Sequence, residues 1–217
     1  MMQRVAVVDY GGSNLRSVAR AVETVAEGRH DVVVTDDHET LRNADRVVFP
    51  GQGAIGDCMR RLHERDLVGV LRECLQSRPF FGICLGLQSL MRHSDEDGGV
   101  TCLDIWPGEV RRFRADAGPA ADGSPRKIPH MGWNEVHWTR PHPVTAGIPD
   151  GTRFYFVHSY YVVPADPALT LGHTDYIEDF TSALAAGSVF ATQFHPEKSA
   201  DAGLRLLRNF LAWDGRA

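Results

Sequence analysis

Apolar runs alternate with amphipathic segments through residues 4–92, and this alternation constrains the fold more than any other feature of the chain. A run without polar alternation, such as residues 5–8 (VAVV), is typical of a strand in a parallel sheet that is covered on both faces. The predicted strands are residues 4–8, 31–35, 46–49 and 80–83. The predicted helices are residues 15–25, 54–76 with a break near Asp66, and 85–92. Strands alternating with helices imply βαβ units and a parallel, doubly wound sheet.

The second half of the chain is richer in Val, Tyr, Phe and Trp, with turn residues between its apolar segments. These segments predict further strands, several of them antiparallel, at residues 109–114, 127–138, 152–163 and 169–177. Residues 115–125 (ADAGPAADGSP) are small and polar and are broken by Gly and Pro. We therefore expect an exposed loop insertion there.

The chain ends in a predicted helix that Ser199 can cap, with Leu204, Leu207 and Leu211 on one face. All predicted elements fit one α/β domain over residues 1–217. Its central sheet is expected to be mixed but mainly parallel and flanked by helices, with antiparallel strands in the second half.

Composition and charge exclude several classes of protein. Apolar residues make up 43% of the chain and charged residues 24%, and the net charge is −5, which is unlike a general nucleic-acid binder. No apolar run approaches a membrane span, and the N-terminus lacks a signal-peptide pattern, so we expect a cytoplasmic protein. The four cysteines form no C-x-x-C pair and no H-E-x-x-H motif occurs, so we expect free thiols and no metal or cofactor.

The strongest local motif is GICLG, in which Cys84 lies between Gly82 and Gly86 after a buried strand and before a helix. This is the thiol form of a nucleophile elbow, where a tight turn exposes the central residue. A helix N-terminus beneath Cys84 would favour the thiolate. The alternative is a buried, inert cysteine flanked by incidental glycines.

A thiol nucleophile needs a base, and the base needs a group that orients it. His195 follows an apolar strand, and Pro196 forces a turn that can bring Glu197 back to the imidazole. The carboxyl ends of strands in open α/β sheets are where ligand sites form. Among the ten histidines, His195 is therefore the predicted base and Glu197 its orienting acid.

Acyl transfer also needs donors for the oxyanion. The backbone N–H of Leu85, just after the nucleophile, is the first predicted donor. The second is expected from the turn at Gly51 and Gln52, which ends a neighbouring strand. That turn has an alternative interpretation as a plain reversal of the chain.

Two motifs, GICLGLQ around Cys84 and QFHPEKS around His195, resemble class I glutamine amidotransferases. Three more, DYGGSNLRSV, KIPHMGWN and FYFVHSYY, are similar to the glutaminase subunits of imidazole glycerol phosphate synthase. The resemblance covers the whole chain apart from residues 115–125. Where that family commonly reads P-G-V-G, this chain has Gln52, and where it has another glycine, this chain has Ser13.

The resemblance implies an enzyme that hydrolyses L-glutamine and passes ammonia to a (β/α)₈-barrel cyclase subunit, as a heterodimer of histidine biosynthesis. It implies Cys84 as nucleophile, His195 as base and Glu197 as its orienter. The residues implied for glutamine binding are Gly53, Gln88, His158, Ser159 and Tyr160. For the partner interface we expect Asn14, which follows the first strand, Trp133 in KIPHMGWN, and Lys198, which follows Glu197. In an open α/β sheet the ends of such strands gather on one edge.

Two other classes of function stay open at this point. One is a stand-alone cysteine hydrolase of γ-glutamyl or other amides, which would turn over glutamine without help. The other is a catalytically silent docking subunit, against which an intact Cys84, His195 and Glu197 argue. A subunit that donates ammonia to a different synthase is a further possibility.

Overall fold

The computed structural model describes residues 2–12, 14–114, 118 and 126–216, and within them the chain forms thirteen strands and six α-helices. The helices are α1 Leu15–Ala26, α2 His38–Arg42, α3 Ile55–Glu64, α4 Leu67–Ser77, α5 Leu85–Gln88 and α6 Ala200–Ala212. The strands of the first half are β1 Gln3–Val8, β2 His30–Thr35, β3 Arg46–Gly51, β4 Phe80–Cys84, β5 His93–Ser94 and β6 Val100–Thr101. Those of the second half are β7 Gly108–Arg112, β8 His130–Trp138, β9 Thr152–His158, β10 Tyr160–Pro164, β11 Thr170–Asp175, β12 Asp179–Ala186 and β13 Val189–Thr192.

The central sheet has the order β2-β1-β3-β4-β13-β12-β10-β7-β5-β6. Its first five strands are all parallel, including β13, which returns from the end of the chain to lie beside β4. Strands β12, β10 and β7 then continue it in antiparallel pairs. The predicted fold class, a mixed and mainly parallel α/β sheet with antiparallel strands in the second half, is confirmed. The loop predicted at 115–125 lies outside the described residues, residue 118 apart.

Two apolar layers cover the two faces of the parallel strands. Val5 and Val7 belong to the layer that packs against α1 and α6, whereas Ala6 and Val8 belong to the layer that packs against α3 and α4. Successive residues of a strand point to opposite faces, so both faces here must be apolar. This explains why the strand sequences show no polar alternation.

Residues 152–163 form two strands instead of the single one expected. Strand β9 pairs with β8, whereas β10 pairs with β7 and β12, so the chain changes partners at Ser159. The break falls at the polar pair His158 and Ser159, and it follows from the change of hydrogen-bonding partners rather than from a turn-forming Gly or Pro.

The helix expected at 85–92 is a single turn, α5, because the chain beyond it bonds elsewhere. The N–H of Arg92 donates to Gly108 O at 3.1 Å, and the N–H of Cys102 donates to Arg92 O at 3.0 Å. These long-range bonds replace the i→i−4 bonds of a longer helix.

Other helix boundaries agree more closely with the sequence. The break expected near Asp66 is confirmed, since that residue has a left-handed backbone (φ 55°) between α3 and α4. The side chain of Ser199 does not cap α6 as predicted; its hydroxyl instead donates to His195 O at 2.7 Å. No helix in the described ranges is long and apolar enough to cross a membrane.

Candidate active site

Cys84 lies at the end of β4 in a backbone conformation (φ 54°, ψ −102°) that residues with a Cβ rarely adopt. The turn is as tight as the glycines suggested. A Cβ on Gly82 would lie 2.6 Å from Gly86 O, and a Cβ on Gly86 would lie 2.1 Å from Phe49 O. Direct contact between backbones therefore holds the elbow, as the motif predicted.

His195 and Glu197 come to the same edge because β13 runs parallel to β4. His195 Nδ1 donates to Glu197 Oε1 at 2.8 Å, and both side chains are fully buried. The other ring nitrogen, Nε2, is buried without a hydrogen-bond partner among the described residues. This leaves Nε2 for the thiol and its substrate, as the predicted roles require.

Charge in this site favours a protonated imidazole. Burial opposes charge on His195, but the Cys84 sulfur and the Glu197 carboxylate outweigh it and raise the pKa of the imidazole to about 10. Burial also opposes charge on Glu197, yet its hydrogen bonds to His195 and Asn14 hold the pKa of the carboxyl below its usual value. The pair is therefore a buried imidazolium–carboxylate pair beside the Cys84 sulfur.

Asn14 contacts the acid of the site. The residue is only 7% exposed, and its Nδ2 donates to Glu197 Oε1 at 2.5 Å. This hydrogen bond supports Glu197, a contact that the sequence did not reveal. The expected place of Asn14 in a partner interface stays a prediction.

A cavity of about 260 Å³ opens beside Cys84 and Leu85. The structure brings the predicted glutamine-binding residues to its walls, together with Gln52. Its lining residues are Gln52, Gly53, Cys84, Leu85, Gln88, Glu96, Pro129, Val157, His158, Ser159 and Tyr160. Residues from β4, α5 and the β9–β10 junction thus meet around one space large enough for an amino acid.

Glu96 is a cavity residue that the sequence did not reveal. Burial raises the pKa of its carboxyl, although the N–H of Ile55 donates to it at 2.9 Å. A carboxylate in this wall suits the ammonium group of an amino acid. Its sequence surroundings, DEDGG, read as an ordinary solvated turn, so no local signal could have singled it out.

Gly51 pairs with Cys84 in the register of β3 and β4, so the predicted oxyanion turn runs along the elbow. A Cβ on Gly51 would lie 2.5 Å from the Leu85 Cβ, which shows how closely the two backbones approach. The donor roles of the Leu85 and Gln52 N–H groups stay predictions.

Trp133 and Lys198 both lie near Tyr155. The Trp133 ring meets the Tyr155 ring edge-on at 6.1 Å, and the Lys198 Nζ lies 6.0 Å from the centre of the same ring. Trp133 is 51% exposed and Met131, on the same face of β8, is 62% exposed. The structure thus joins two of the three predicted interface residues in one aromatic and cationic patch.

Comparison with known proteins decides the family. Residues 6–213 match the family model for class I glutamine amidotransferases. The chain belongs to this family. The imidazole glycerol phosphate synthase subunit HisH of Aromatoleum aromaticum is 56% identical to this amidotransferase over 212 residues, which is 98% of this chain and 99% of the relative. The subunit of the same name from Chromobacterium violaceum is 53% identical with the same coverage.

Solved structures share the fold of this amidotransferase at much lower sequence identity. One glutamine amidotransferase matches with a TM-score of 0.71 at 17% identity, over 96% of this chain and 97% of its own. Another, from Thermotoga maritima, matches with a TM-score of 0.60 at 16% identity, over 98% and 84%. The α/β architecture therefore persists where little of the sequence does.

The remaining thiols of this amidotransferase are unsuited to nucleophilic chemistry. Burial raises the pKa of Cys58 and of Cys102 to about 12, and it raises that of Cys74 as well. Raised pKa values keep all three protonated. In the part of the chain that the structure describes, no group of three or more His, Cys, Asp or Glu side chains could hold a metal ion.

Proposed function

We propose that this amidotransferase is the glutaminase subunit of imidazole glycerol phosphate synthase. The observation that carries the proposal is the buried His195–Glu197 pair beside Cys84, in a chain that is 52–56% identical over 97–98% of its length to imidazole glycerol phosphate synthase subunits HisH. The subunit hydrolyses L-glutamine to glutamate and delivers ammonia to a cyclase subunit with a (β/α)₈ barrel. There the ammonia enters imidazole glycerol phosphate, and aminoimidazole carboxamide ribotide is released.

The first half of the reaction transfers the γ-glutamyl group of glutamine to Cys84. The thiolate attacks the side-chain carboxamide carbon, and the N–H groups of Leu85 and Gln52 take up the negative charge on oxygen. Protonated His195 gives its proton to the leaving nitrogen, so that ammonia departs and a thioester remains. A buried imidazolium held by Glu197 supplies this proton from a fixed direction.

The second half returns the enzyme to its starting state. Neutral His195 takes a proton from water, and the hydroxide attacks the thioester carbon. The carbon–sulfur bond breaks, glutamate leaves and the thiolate is restored beside the imidazolium. Asn14 holds the Glu197 carboxylate in place through both steps.

The partner is expected to cover the patch around Trp133 and Lys198. Exposed aromatic residues beside a cation are typical of the energetic centre of an interface. Ammonia released into water would be protonated and diluted, so the acceptor subunit must seal the exit. A cytoplasmic location, where the partner and its nucleotide substrate would be found, stays a prediction.

The test is a glutaminase assay of the chain alone, then with a cyclase subunit, and then with the subunit and its nucleotide substrate. We expect glutamate release to be low alone and to rise in the complex, with one cyclised product per glutamate. Full activity of the chain alone would favour the stand-alone hydrolase. No effect of the cyclase on an otherwise reactive Cys84 would favour a different ammonia acceptor.

The same assay tests the interface. Trp133→Ala and Lys198→Ala should weaken association with the cyclase or lower the ratio of product to glutamate, because they remove the anchor and the charge of the patch. Arg216→Ala is the matched control, because it removes an exposed cation beside Gly215, which lies against Pro79 and Ser188 just before β4 and β13. Unchanged affinity and ratio in both patch variants would place the interface elsewhere.

A further inference from the structure

A buried chain of amide hydrogen bonds ends on the sulfur of Cys84. Gln193 is fully buried, and its Nε2 donates to Cys84 Sγ at 3.5 Å. The Oε1 of the same residue accepts from Gln88 Nε2 at 3.1 Å. Gln88 Nε2 donates in turn to the main-chain oxygen of Tyr160 at 3.0 Å. Gln193 therefore connects the nucleophile to the wall of the glutamine cavity.

The direction of every bond in this chain follows from its far end. The Tyr160 carbonyl can only accept, so Gln88 must turn its amide nitrogen toward it. The second N–H of Gln88 then faces Gln193, which must present its oxygen in reply. What remains for the sulfur is the amide nitrogen of Gln193, which is a donor. The polarity of the chain thus assigns a donated hydrogen bond to the thiolate form of Cys84.

The backbone around Gln193 leaves its side chain little freedom. Its main-chain N–H donates to Ser182 O at 2.9 Å, just beyond the end of β13. The neighbouring Thr192 pairs with Ala183 in the register of β12 and β13. The parallel pairing of β13 with β4 then sets the distance between Gln193 and the elbow.

We propose that Gln193 is a positioning residue of the amidotransferase, and the proposal rests on the function given above. Its amide nitrogen stabilises the thiolate and fixes the side-chain direction of Cys84. Its oxygen holds Gln88 so that both N–H groups of Gln88 are engaged. Gln88 is then left with its own Oε1 as the atom that can accept a hydrogen bond from the ammonium group of glutamine.

The test measures the reactivity of Cys84 without glutamine or a partner. The chain is treated with iodoacetamide across a range of pH, and alkylation of Cys84 is followed by peptide mass spectrometry. Gln193→Met keeps the length of the side chain and removes the donor. The pH midpoint of alkylation should rise by about one unit, since a hydrogen bond to a charged group is lost. Gln76→Met, the same change at an exposed glutamine of α4, should leave the midpoint unchanged.

A second variant covers the case in which Gln193→Met does not fold. Gln193→Glu can still accept from Gln88 but places a negative charge beside the thiolate, so its midpoint should rise at least as much. In the complex, both variants should raise the KM for glutamine or lower kcat while the ammonia-dependent cyclase reaction is unchanged. A folded variant whose alkylation midpoint equals that of the parent would overturn the proposal.

The two proposals fail in different ways. A chain that shifts its alkylation midpoint but releases no glutamate in any complex would keep the role of Gln193 at the sulfur and reject the glutaminase function. Normal glutaminase activity together with unshifted alkylation midpoints in the Gln193 variants would keep the glutaminase function and reject the role of Gln193.

Discussion

The two sides of the glutamine cavity are built by different physical means. On the nucleophile side, the parallel strands β3 and β4 bring glycine backbones into direct contact, and Gly82 and Gly86 have no room for a Cβ. On the opposite side, hydrogen-bonded imidazoles support the wall. His158 Nδ1 donates to Tyr160 O at 2.8 Å, and His130 Nδ1 lies 3.0 Å from His158 Nε2.

This difference predicts two kinds of sensitivity. The nucleophile side depends on close backbone contact, so an added carbon atom should damage it at any pH. The opposite wall depends on the protonation state of its histidines. Burial lowers the pKa of His130 to about 4 and that of His158 to about 3, so both are neutral. Acid should therefore damage that wall first, whereas substitutions of similar volume should be tolerated better there.

The largest expected effect is on the nucleophile itself. Cys84→Ala should lower glutamine hydrolysis in the complex by about 10⁴-fold or more, because no other group here can form the thioester. Its thermal unfolding should stay close to that of the parent. Product formation from added ammonia, measured in parallel, should survive because that chemistry belongs to the partner. Normal glutamate release by the variant would remove Cys84 from the mechanism.

Substitution of the base should lower turnover more than substitution of its orienting acid. His195→Ala should reduce turnover by about 10⁶-fold, whereas Glu197→Gln should reduce it by no more than about 10⁴-fold. Asn14 explains the smaller loss, since its Nδ2 would hold the new amide with its oxygen toward the imidazole. Adding Asn14→Ala to Glu197→Gln should deepen the loss. Equal losses in the two single variants, at matched stability, would contradict the orienting role of Glu197.

Shape on the nucleophile side can be tested with one carbon atom. Gly86→Ala should lower the free energy of unfolding by about 3 kcal/mol, because the new Cβ meets the Phe49 carbonyl. Gly69→Ala in α4 is the matched control, since nothing lies within 4 Å of its Cβ position. It should change stability by less than about 1 kcal/mol. Chemical denaturation of both variants measures the two changes in free energy of unfolding. Equal changes would show that the turn at Cys84 can accommodate a Cβ on Gly86.

The buried histidines of the opposite wall should make the folded protein less stable in acid. A histidine whose folded pKa is lowered stays neutral while the unfolded chain takes up a proton, so stability falls as pH drops from about 6.5 to about 4. Each such group contributes a slope of up to about 1.4 kcal/mol per pH unit. His130→Phe keeps an aromatic ring stacked on Tyr176. It should lower that slope by up to about 1.4 kcal/mol per pH unit, because one group fewer takes up a proton on unfolding.

The control for this slope is His137→Phe, because the hydrogen bond that this exposed imidazole donates to the Asp150 carboxylate raises its pKa. A raised pKa contributes stability at low pH that is lost as pH rises, so this variant should leave the acid slope unchanged. Denaturant unfolding at several pH values measures both variants. Identical slopes in His130→Phe and the parent would mean that the buried pair does not control acid stability.

The parts of the molecule that the sequence predicted are those that depend on residues close together in the chain. Apolar runs, the glycines around Cys84 and the proximity of Glu197 to His195 each leave a mark within a few residues. These marks were enough for the fold class and for the placing of the elbow and its base.

The features that sequence reasoning missed depend on contacts between distant segments. Asn14 meets Glu197 across 183 positions, and Gln193 meets Cys84 across 109. Glu96 enters the cavity from a polar turn, and the break at Ser159 arises from a change of strand partners. A polar residue that serves a distant partner looks in sequence like any other polar residue.

The backbone of Cys84 carries a consequence for how such an enzyme evolves. A residue with a side chain is held at φ 54° and ψ −102°, a conformation that only glycine adopts freely and that costs other residues about 1–3 kcal/mol. Glycine at this position would make a more heat-resistant protein with no turnover. A mutant library selected for thermal stability alone would therefore drift away from cysteine at the one position that the chemistry needs. Growth that depends on the product would restore the thiol, so the cysteine records what the ancestors of this chain were selected to do.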